Sequence, residues 1–401
     1  MRLPVVFILI TVVLDAMGIG LIIPVMPDLI KEVGNVNLSN AALWGGVLST
    51  TFAVMQFLFG PVIGNLSDRY GRRPILLVSL VVMALDYLVM AVAGAMWLLL
   101  LGRVVGGITA ATQSTAAAYM ADISTPEKKA ENFGLIGAAF GIGFVLGPLV
   151  GGLLGEFGTR APFYAAAALA ALNAAFGWFV LKETVTDKIR RPFSWARANP
   201  VGTLRVLGKL PDVGPLLLVF FLYQVAFTVY PAVWSYFGQA RFGWSPATIG
   251  LSLALFGIAM AIVQGGLIRY VLRWLGERGT VIYGHVFDVA IFLAIATVTS
   301  GTVALILTPI AALAGVISPA LQAIMSKAVG DDQQGELQGA LTSVSALAMI
   351  LSPMLMTSTF AAFTSPTAPF YMPGAPFVLS AILIVLGLLA FSRSATRAAL
   401  S

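Results

Sequence analysis

Four ionisable residues lie inside long apolar stretches of this sequence, where an unpaired charge is costly. They are Asp15, Asp86, Arg103 and Asp288, and His285 precedes Asp288 by three residues, so that these two share a helical face. A charged Asp or Arg at the centre of a bilayer costs about 2.5–3.5 kcal/mol on insertion scales. Because desolvation disfavours the anion, buried carboxylates are suited to take up and release protons. The sequence therefore predicts proton-linked transport.

A structural interpretation stays open for two of these residues. In this interpretation Arg103 forms an ion pair with one of the three acids and only fixes helix packing. Two acids would then remain without a structural role. His285 is the one histidine of the chain, and a lone histidine is more often a packed or interfacial residue than a proton switch.

The surrounding sequence is that of a chain that crosses a membrane many times. Of its 401 residues, 59% are hydrophobic and 10% are charged, whereas ordinary globular domains are about 25% charged. A soluble fold is therefore excluded, and the net charge of +6 is no sign of nucleic-acid binding. Since about 20 residues span a bilayer, the apolar content predicts an all-α membrane protein with twelve spans. We expect them at 5–26, 42–63, 75–94, 96–119, 133–154, 162–181, 214–237, 248–270, 280–298, 303–325, 337–361 and 375–392.

Basic residues are distributed unevenly between the loops. With the N-terminus inside, nineteen Lys and Arg residues fall in inside segments, and three, Lys31, Arg160 and Arg241, fall in outside segments. The positive-inside rule then predicts that both termini are cytoplasmic.

A basic stretch near the midpoint divides the chain into an N-terminal half, 1–182, a cytoplasmic linker, 183–213, and a C-terminal half, 214–401. An offset of 205 residues superposes seven residues of the first half on the same or similar residues of the second, among them Gly71 on Gly276. This match indicates a duplicated six-helix half. Transporters built from parallel repeats bind their substrate near the bilayer midplane at the repeat interface.

Polar uncharged and aromatic side chains recur on the predicted spans. Some are expected to join helices by hydrogen bonds, and collectively they predict a cavity for a partly polar, aromatic ligand. They are Gln56, Gln113, Gln224, Gln264, Gln322, Tyr223 and Trp234.

The segment from Gly64 to Pro74, GNLSDRYGRRP, separates the second and third spans. Gly64 and Gly71 allow close backbone approach and tight turning. Asp68 can accept a hydrogen bond from a nearby helix N-terminus or an arginine. A solvated turn would explain the charges but not the spaced glycines, so we interpret the segment as a cytoplasmic latch.

Two motifs resemble those of the major facilitator superfamily. The first is its signature loop, Gly-x-x-x-Asp-Arg-x-Gly-Arg-Arg, complete here at Gly64, Asp68, Arg69, Gly71, Arg72 and Arg73. The second is its antiporter motif in the fifth span, present at Gly137, Gly141, Gly147, Pro148, Gly151 and Gly152. The resemblance implies the major facilitator fold, with twelve transmembrane helices in two pseudo-symmetric six-helix bundles.

Nearly the full chain resembles, more narrowly, the tetracycline-proton antiporter group. The resemblance is carried by Leu14 to Pro27, Gly102 to Asp122, Phe256 to Gln264 and Leu321 to Ser343. It implies that the group's intramembrane acids and fourth-span arginine are Asp15, Asp86, Asp288 and Arg103. It implies polar cavity residues at Gln56 and Gln264, and a cytoplasmic gate at Asp68, Arg72 and Asp122.

The chain departs from this group at one position that bears on proton coupling. Where the group has a histidine four residues before the eighth-span glutamine, this chain has Met260, which we assign to the substrate cavity. Methionine cannot titrate, so either His285 takes over or coupling depends on the acids alone. The second half also has Arg273 where the first has Asp68.

The resemblance implies a proton-coupled efflux antiporter in the cytoplasmic (inner) membrane that exports tetracycline-like or other amphiphilic drugs, tetracycline as a divalent-metal chelate. A related carrier for a different drug or metabolite is the alternative that Met260 favours. A remote alternative is an intramembrane aspartyl hydrolase, which requires paired carboxylates. We expect no enzymatic activity, no resident cofactor or protein-bound metal, no nucleic-acid partner and a monomer, with protons, lipid bilayer and a small-molecule substrate as partners.

Overall fold

The computed structural model of the protein describes residues 3–110, 112–187, 190–195, 198–199 and 213–400, and their regular structure is helical. The helices up to the midpoint are α1 (Leu3–Ile22), α2 (Met26–Gly34), α3 (Leu38–Tyr70), α4 (Arg72–Val92), α5 (Met96–Thr109), α6 (Thr112–Ile123), α7 (Lys129–Gly155) and α8 (Ala161–Val180). The later helices are α9 (Gly214–Phe227), α10 (Val229–Phe242), α11 (Pro246–Ile262), α12 (Ile268–Thr297), α13 (Gly301–Ala311), α14 (Ile317–Ala328), α15 (Gln334–Thr364) and α16 (Ala375–Leu400).

Eleven helical stretches of the described residues are long and apolar enough to cross a membrane. One of them, Pro246–Thr297, has 52 residues and would be about 78 Å long at 1.5 Å per residue, more than twice the bilayer core. Gly276 interrupts it with φ 66° and ψ 177°, a conformation that favours glycine. The break falls between the eighth and ninth predicted spans, which is consistent with the twelve crossings predicted.

The predicted first span, 5–26, is wrong at its C-terminal end. Helix α1 ends at Ile22, and the separate helix α2 begins at Met26. Pro24 and Pro27 explain the difference, because the residue before a proline is disfavoured in helical conformation and a proline is tolerated in the first turn of a helix.

Packing divides the chain into two compact units, each built from three segments. Unit 1 comprises Met1–Val36, Thr51–Pro200 and Ser245–Ala254, and unit 2 comprises Asn37–Thr50, Val201–Trp244 and Leu255–Ser401. Helix α3 therefore begins in unit 2 and ends in unit 1, whereas α11 begins in unit 1 and ends in unit 2. The division into 1–182, 183–213 and 214–401 stays a prediction, and residues 200–212 of that linker lie outside the described part.

The core of unit 1 forms where α1 packs against α7 and α8. Phe7 and Ile8 of α1 are fully buried, and the Phe7 ring lies 5.5 Å from that of Phe176. Asn173 Nδ2 of α8 donates to Thr11 Oγ1 of α1 at 3.0 Å. Helix association in a bilayer depends on close packing and such interhelical hydrogen bonds, so these contacts fix α1 and its acid, one turn further along.

The core of unit 2 is aromatic. Tyr230 of α10 lies 5.0 Å from Phe256, and Trp234 lies 5.9 Å from Phe377, measured between ring centroids. Phe292 of α12 joins the same cluster at 5.7 Å from Tyr230. These rings hold α12 in place, and with it the residues that follow the break at Gly276.

Candidate functional site

The signature segment is helical almost throughout, so the two helices extend beyond the predicted spans 42–63 and 75–94. Helix α3 continues to Tyr70 and α4 begins at Arg72, so that Gly71 alone turns the chain, with φ 113°. A glycine is required there because side-chain-bearing residues rarely adopt positive φ. Gly64, by contrast, lies within α3, and a Cβ added there would meet no other part of the described chain within 4 Å. The predicted close approach at Gly64 is therefore wrong.

Arg72 is the centre of an ion-pair cluster next to this turn. Its Nη1 lies 2.6 Å from Asp68 Oδ1, and its Nε donates to Asp122 Oδ2 at 3.3 Å. Ser67 Oγ accepts a further hydrogen bond from Arg72 at 3.1 Å. The structure thus brings together the three residues Asp68, Arg72 and Asp122, which the sequence assigned to one gate. One guanidinium bridges the end of α3 and the end of α6.

The carboxylate at the N-terminus of α4 is Glu183, whereas Asp68 binds an arginine, the second of the two partners that the sequence allowed for it. Glu183 Oε1 accepts from the backbone N–H of Arg72 at 2.9 Å, and Oε2 accepts from that of Arg73 at 3.2 Å. Oε1 also accepts from the backbone N–H groups of Thr184 and Val185, both at 2.9 Å. An anion at this end of a helix is favoured by the free N–H groups and the helix dipole.

Sequence reasoning missed Glu183 because its partners in α4, Arg72 and Arg73, are more than a hundred residues away in the chain. The one available signal was an acid directly after the sixth span in a basic stretch. Glu183 ties the start of the linker to the gate motif, and Thr184 Oγ1 adds a hydrogen bond to Asp122 Oδ2 at 2.9 Å. Tyr119 Oη likewise donates to the carbonyl of Lys182 at 2.9 Å. The first linker residues are therefore part of the gate cluster of unit 1.

The two remaining arginines of the motif bind outside this cluster. Arg73 donates to the carbonyl of Trp178 at 2.9 Å, and its guanidinium carbon lies 5.2 Å from the centre of a Trp178 ring. Arg69 lies 5.1 Å from the centre of the Tyr70 ring. Both are cation–π contacts, and Arg73 uses its contact to hold α4 against the end of α8.

The antiporter motif is a packing surface. Side chains added at Gly147 and Gly151 would run into the backbone of Met17 and Leu21 in α1, and one at Gly152 would run into Pro246 at the start of α11. The ring of Pro148 lies against Gly20. A Cβ added at Gly137 or Gly141, by contrast, would meet no neighbouring segment within 4 Å in the part of the chain that the structure describes. The C-terminal half of the motif therefore permits close helix approach, as small residues do in membrane proteins.

Glu156, directly after α7, caps the N-terminus of α11. Its Oε1 accepts from the backbone N–H of Ala247 at 3.1 Å. This hydrogen bond, together with one from the Ser245 hydroxyl, lowers the pKa of the exposed Glu156 carboxyl below its ordinary value. The contact lies next to the Gly152 contact and within unit 1.

Asp86 and Arg103 form a buried ion pair in unit 1. Arg103 Nη2 donates to Asp86 Oδ2 at 2.9 Å, and the two side chains are 9% and 5% exposed for Arg103 and Asp86. Arg103 also approaches Met90 Sδ at 2.6 Å. The interpretation that Arg103 pairs with one acid therefore holds in this structure, and that acid is Asp86.

Two glycines of α5 make room for the Asp86 carboxylate. A Cβ at Gly102 would lie 2.6 Å from Asp86 Oδ1, and one at Gly106 would lie 2.7 Å from Oδ2. The sequence carried this signal, because Gly102 and Gly106 lie one turn apart and flank Arg103. Asp86 Oδ1 and Arg103 Nε remain without a hydrogen-bond partner among the described residues.

Asp15 and Asp288 stand apart from any cation in the described residues. Asp15 is half-buried in α1, and Tyr87 packs against Gly18 in the next turn. Asp288 is 2% exposed, and its Oδ2 has no hydrogen-bond partner in the described part of the chain. Tyr223 and Tyr230 lie near enough to interact with its charge. Neither acid lies against a second carboxylate, so the paired acids that a hydrolase requires are not formed by the described residues.

His285 and Asp288 lie on one helix but are not hydrogen-bonded to each other. His285 Nδ1 contacts the carbonyl of Val281 at 2.8 Å, and Nε2 lies next to Gly387 with no hydrogen-bond partner among the residues that the structure describes. Because a carbonyl only accepts, Nδ1 carries a proton and donates it to this hydrogen bond.

Met260 and Gln264 meet at an irregular place in unit 2. Gln264 lies in a π-helical turn, Val263–Leu267, and π turns are frequent at functional sites. Its Nε2 donates to Met260 Sδ at 3.4 Å. The Met260 sulphur also lies where a side chain at Gly315 would be. Met260 therefore occupies the position at which the tetracycline-proton antiporter group, which the chain resembles, has a histidine. A methionine there cannot take up a proton.

The other predicted cavity residues lie in both units. Gln56 donates to the carbonyl of Ala110 at 3.3 Å, Gln224 to Ser345 Oγ at 3.4 Å and Gln322 to Ser318 Oγ at 3.1 Å. Tyr223 is buried at 4% exposure, and Trp234 is fully buried in the aromatic core. The side chain of Gln113 lies outside the described part.

Comparisons with known proteins agree with these motifs. The Major Facilitator Superfamily profile matches residues 8–353. The chain is 43% identical over 355 residues to the Escherichia coli "Tetracycline resistance protein, class C", covering 88% of this chain and 89% of that protein. It is 40% identical to the class G protein of Vibrio anguillarum, covering 90% and 91%.

A solved structure shows the same architecture. The human organic anion transporter MFSD10 (TETRAN) superposes with a TM-score of 0.70 at 26% identity, covering 97% of this chain and 99% of that one. The profile match, these relatives and the shared architecture together show that the chain belongs to the major facilitator superfamily, a family of membrane transporters and not of enzymes.

Proposed function

We propose that this protein exports tetracycline-like or other amphiphilic drugs across the cytoplasmic (inner) membrane in exchange for protons, by alternating access. The proposal rests on Asp288, a buried carboxylate with an oxygen that has no partner among the described residues. A permanent anion is costly there, so the acid is suited to carry a proton. The 43% identity to a tetracycline resistance protein supports the substrate class.

The proposal also covers the metal chelate of the substrate and the oligomeric state and membrane orientation of the protein. Tetracycline moves as a divalent-metal chelate in the group that the chain resembles, so any metal belongs to the substrate and the protein needs no resident cofactor. We propose a monomer with both termini in the cytoplasm. The excess of basic residues in the inside loops supports this orientation.

The ion pairs of Arg72 with Asp68 and Asp122 serve as the latch of this transporter. Both distances are short, 2.6 Å and 3.3 Å, and both carboxylates come from other helices than α4. Asp68→Asn should keep folding and drug binding but slow turnover, because conformational steps limit many transport and enzymatic cycles. A wild-type transport rate in this variant would show that the segment only turns the chain.

Everted membrane vesicles with a pH-sensitive dye test the central proposal. Adding tetracycline with Mg²⁺ to energised vesicles should release protons when the wild-type protein is present, and Asp288→Asn should abolish this release while some drug binding persists. The matched control is Asp187→Asn, since Asp187 is 98% exposed and should behave as wild type. Full uphill transport by Asp288→Asn would contradict the assignment of Asp288, and Asp15 or Asp86 would replace it.

A second candidate function is export of a different amphiphilic drug or metabolite, which Met260 favours. Its sulphur lies against Gln264 and Gly315, and a soft, adaptable thioether there suits apolar ligands of varied shape. The same vesicles distinguish the two candidates when they are tested with a panel of drugs. Proton release on other amphiphilic cations or anions, and none on tetracycline, would select the second candidate.

A further inference from the structure

The break at Gly276 in unit 2 repeats the break at Gly71 in unit 1. Both glycines have positive φ, 66° at Gly276 and 113° at Gly71. They coincide at the offset of 205 residues that relates the two halves of the sequence. The shared backbone conformation supports the correspondence of Gly71 with Gly276. The residues around the two breaks can therefore be compared position by position.

The charges around the two breaks are exchanged. At this offset Arg72 corresponds to Glu277, and Asp122 corresponds to Lys327. Lys327 Nζ donates to Glu277 Oε1 at 2.6 Å, whereas in unit 1 Arg72 donates to Asp122 at 3.3 Å. The same pair of positions thus forms an ion pair in each unit, with opposite signs.

The third member of the exchanged set, Arg273, has no carboxylate partner among the described residues. Its counterpart Asp68 binds Arg72, four residues later. Glu277 is four residues after Arg273, but its carboxylate is bound by Lys327. Arg273 is exposed, so unit 2 presents a free cation where unit 1 has a satisfied anion.

Arg273 belongs to a helical face that combines guanidinium groups with aromatic rings. Arg269 and Arg273 are four residues apart, as are Tyr270 and Trp274 beside them, and all four are exposed. Tyr270 and Trp274 are 55% and 83% exposed. Arg269 lies 5.9 Å from the centre of the Tyr270 ring. We call these four residues the basic–aromatic face.

We propose that the basic–aromatic face binds the headgroup of an anionic phospholipid of the phosphatidylglycerol class. A guanidinium presents a planar set of donors that matches phosphate oxygens, and two of them lie one turn apart here. Tyr and Trp favour the headgroup level of a bilayer. The flanking Leu267 and Leu275 are 38% and 48% exposed and contact the acyl chains.

The position of the face in the chain fits this ligand. It lies at the start of α12, before the break at Gly276 and where the predicted eighth span ends, on the side that the positive-inside rule assigns to the cytoplasm. Juxtamembrane basic residues are attracted to anionic lipids at that surface. The bound lipid supplies to Arg273 the negative charge that Arg72 obtains within unit 1 from Asp68 and Asp122.

Native mass spectrometry of the purified full-length protein tests the proposal, with phosphatidylglycerol as the probe. We expect saturable phosphatidylglycerol binding that is about 30-fold weaker in Arg269→Gln/Arg273→Gln, which corresponds to about 2 kcal/mol for two basic side chains near an anionic surface. Trp274→Leu should weaken binding less. Arg393→Gln, an exposed arginine elsewhere in the chain, should bind as wild type.

Three results would overturn the proposal. They are unchanged phosphatidylglycerol binding in the double variant, equal binding of phosphatidylcholine by the wild type, and displacement of the lipid by millimolar inorganic phosphate, which would indicate a site for free phosphate. A further test needs no variant: the wild-type protein is titrated with phosphatidylglycerol at 50 mM and at 500 mM NaCl. Weaker phosphatidylglycerol binding at high salt supports the proposal, and binding that is independent of salt is a fourth result that would overturn it.

Discussion

Lys327 binds Glu277 at 2.6 Å at the two positions where unit 1 has Asp122 and Arg72, so the duplicated gate motif keeps its ion pair with the charges reversed. The two pairs have in common the attraction between opposite charges and not the sign at either position. The pair in unit 2 is largely at the surface, since the Lys327 side chain is 72% exposed.

We therefore expect the charges of this pair to be interchangeable. Glu277→Lys and Lys327→Glu should each slow transport, because like charges then face each other, and the double exchange should restore most of the rate. Exposed ion pairs contribute only about 0.2–1 kcal/mol to stability, so the midpoint of thermal unfolding should hardly move in any variant. Transport rates of the four proteins measure the effect, with Lys31→Glu as a control for an exposed lysine of another ion pair. A double variant that is slower than either single one would contradict the exchange.

The two glycines of the signature motif should respond oppositely to alanine. Gly71 has φ 113°, and a side chain there would run into the Glu183 carboxylate, so Gly71→Ala should destabilise the protein by at least about 1–2 kcal/mol and release the cap of α4. Gly64 is helical and has free space around it, so Gly64→Ala should be neutral or stabilising by up to about 1 kcal/mol. Thermal unfolding in detergent compares the two. Equal effects would mean that the motif's glycines share one role.

The two glycines lie in one motif but have different surroundings, and the sequence predicts the motif but not the surroundings. The motif, its family resemblance and most spans follow from local residue patterns. These patterns were sufficient to predict the fold. The cap of α4 does not follow from such patterns, because Glu183 meets Arg72 only after α4 to α8 have folded back on themselves. The sequence likewise left open which acid pairs with Arg103, since that depends on how α4 and α5 are rotated about their axes.

Removing one partner of the Asp86–Arg103 pair should be strongly destabilising. Asp86→Asn leaves a buried guanidinium without its anion, which costs about 3–5 kcal/mol, whereas replacing both partners often costs much less. Asp86→Asn/Arg103→Gln should therefore be more stable than either single variant. A double-mutant cycle on thermal unfolding measures the coupling energy. If the single effects simply add, the 2.9 Å contact contributes nothing, and Asp86 is free to act as a proton carrier.

The orientation that we propose predicts the location of reporter fusions. Fusions after residues 130, 200 and 330 should lie in the cytoplasm, and fusions after 35, 158 and 241 should lie outside, because the basic loops remain inside. Paired reporters that are active on one side only, such as an alkaline phosphatase and a fluorescent protein, measure each location. One reversed fusion would break the scheme of twelve crossings.

The last prediction concerns how protons are coupled without the eighth-span histidine. His285 donates from Nδ1 to the Val281 carbonyl at 2.8 Å, and an imidazole in its neutral form can stay buried at little cost, unlike the Asp288 anion. His285→Ala should therefore shift the pH dependence of transport without abolishing it, in contrast to Asp288→Asn. Loss of transport in His285→Ala, with folding intact, would make the histidine the essential carrier.

Met260→His should then reintroduce a titratable group one turn before Gln264. The Gln264 side chain donates to the Met260 sulphur at 3.4 Å. An imidazole at position 260 could accept a hydrogen bond from the same amide and, unlike the thioether, could take up a proton. We expect more drug-driven proton movement, or more tetracycline export, at pH values near the ordinary pKa of histidine, about 6.5. Met260→Leu is the matched control, because it keeps the volume but cannot titrate. If Met260→His and Met260→Leu transport alike at every pH, the acids alone couple proton and drug in this protein.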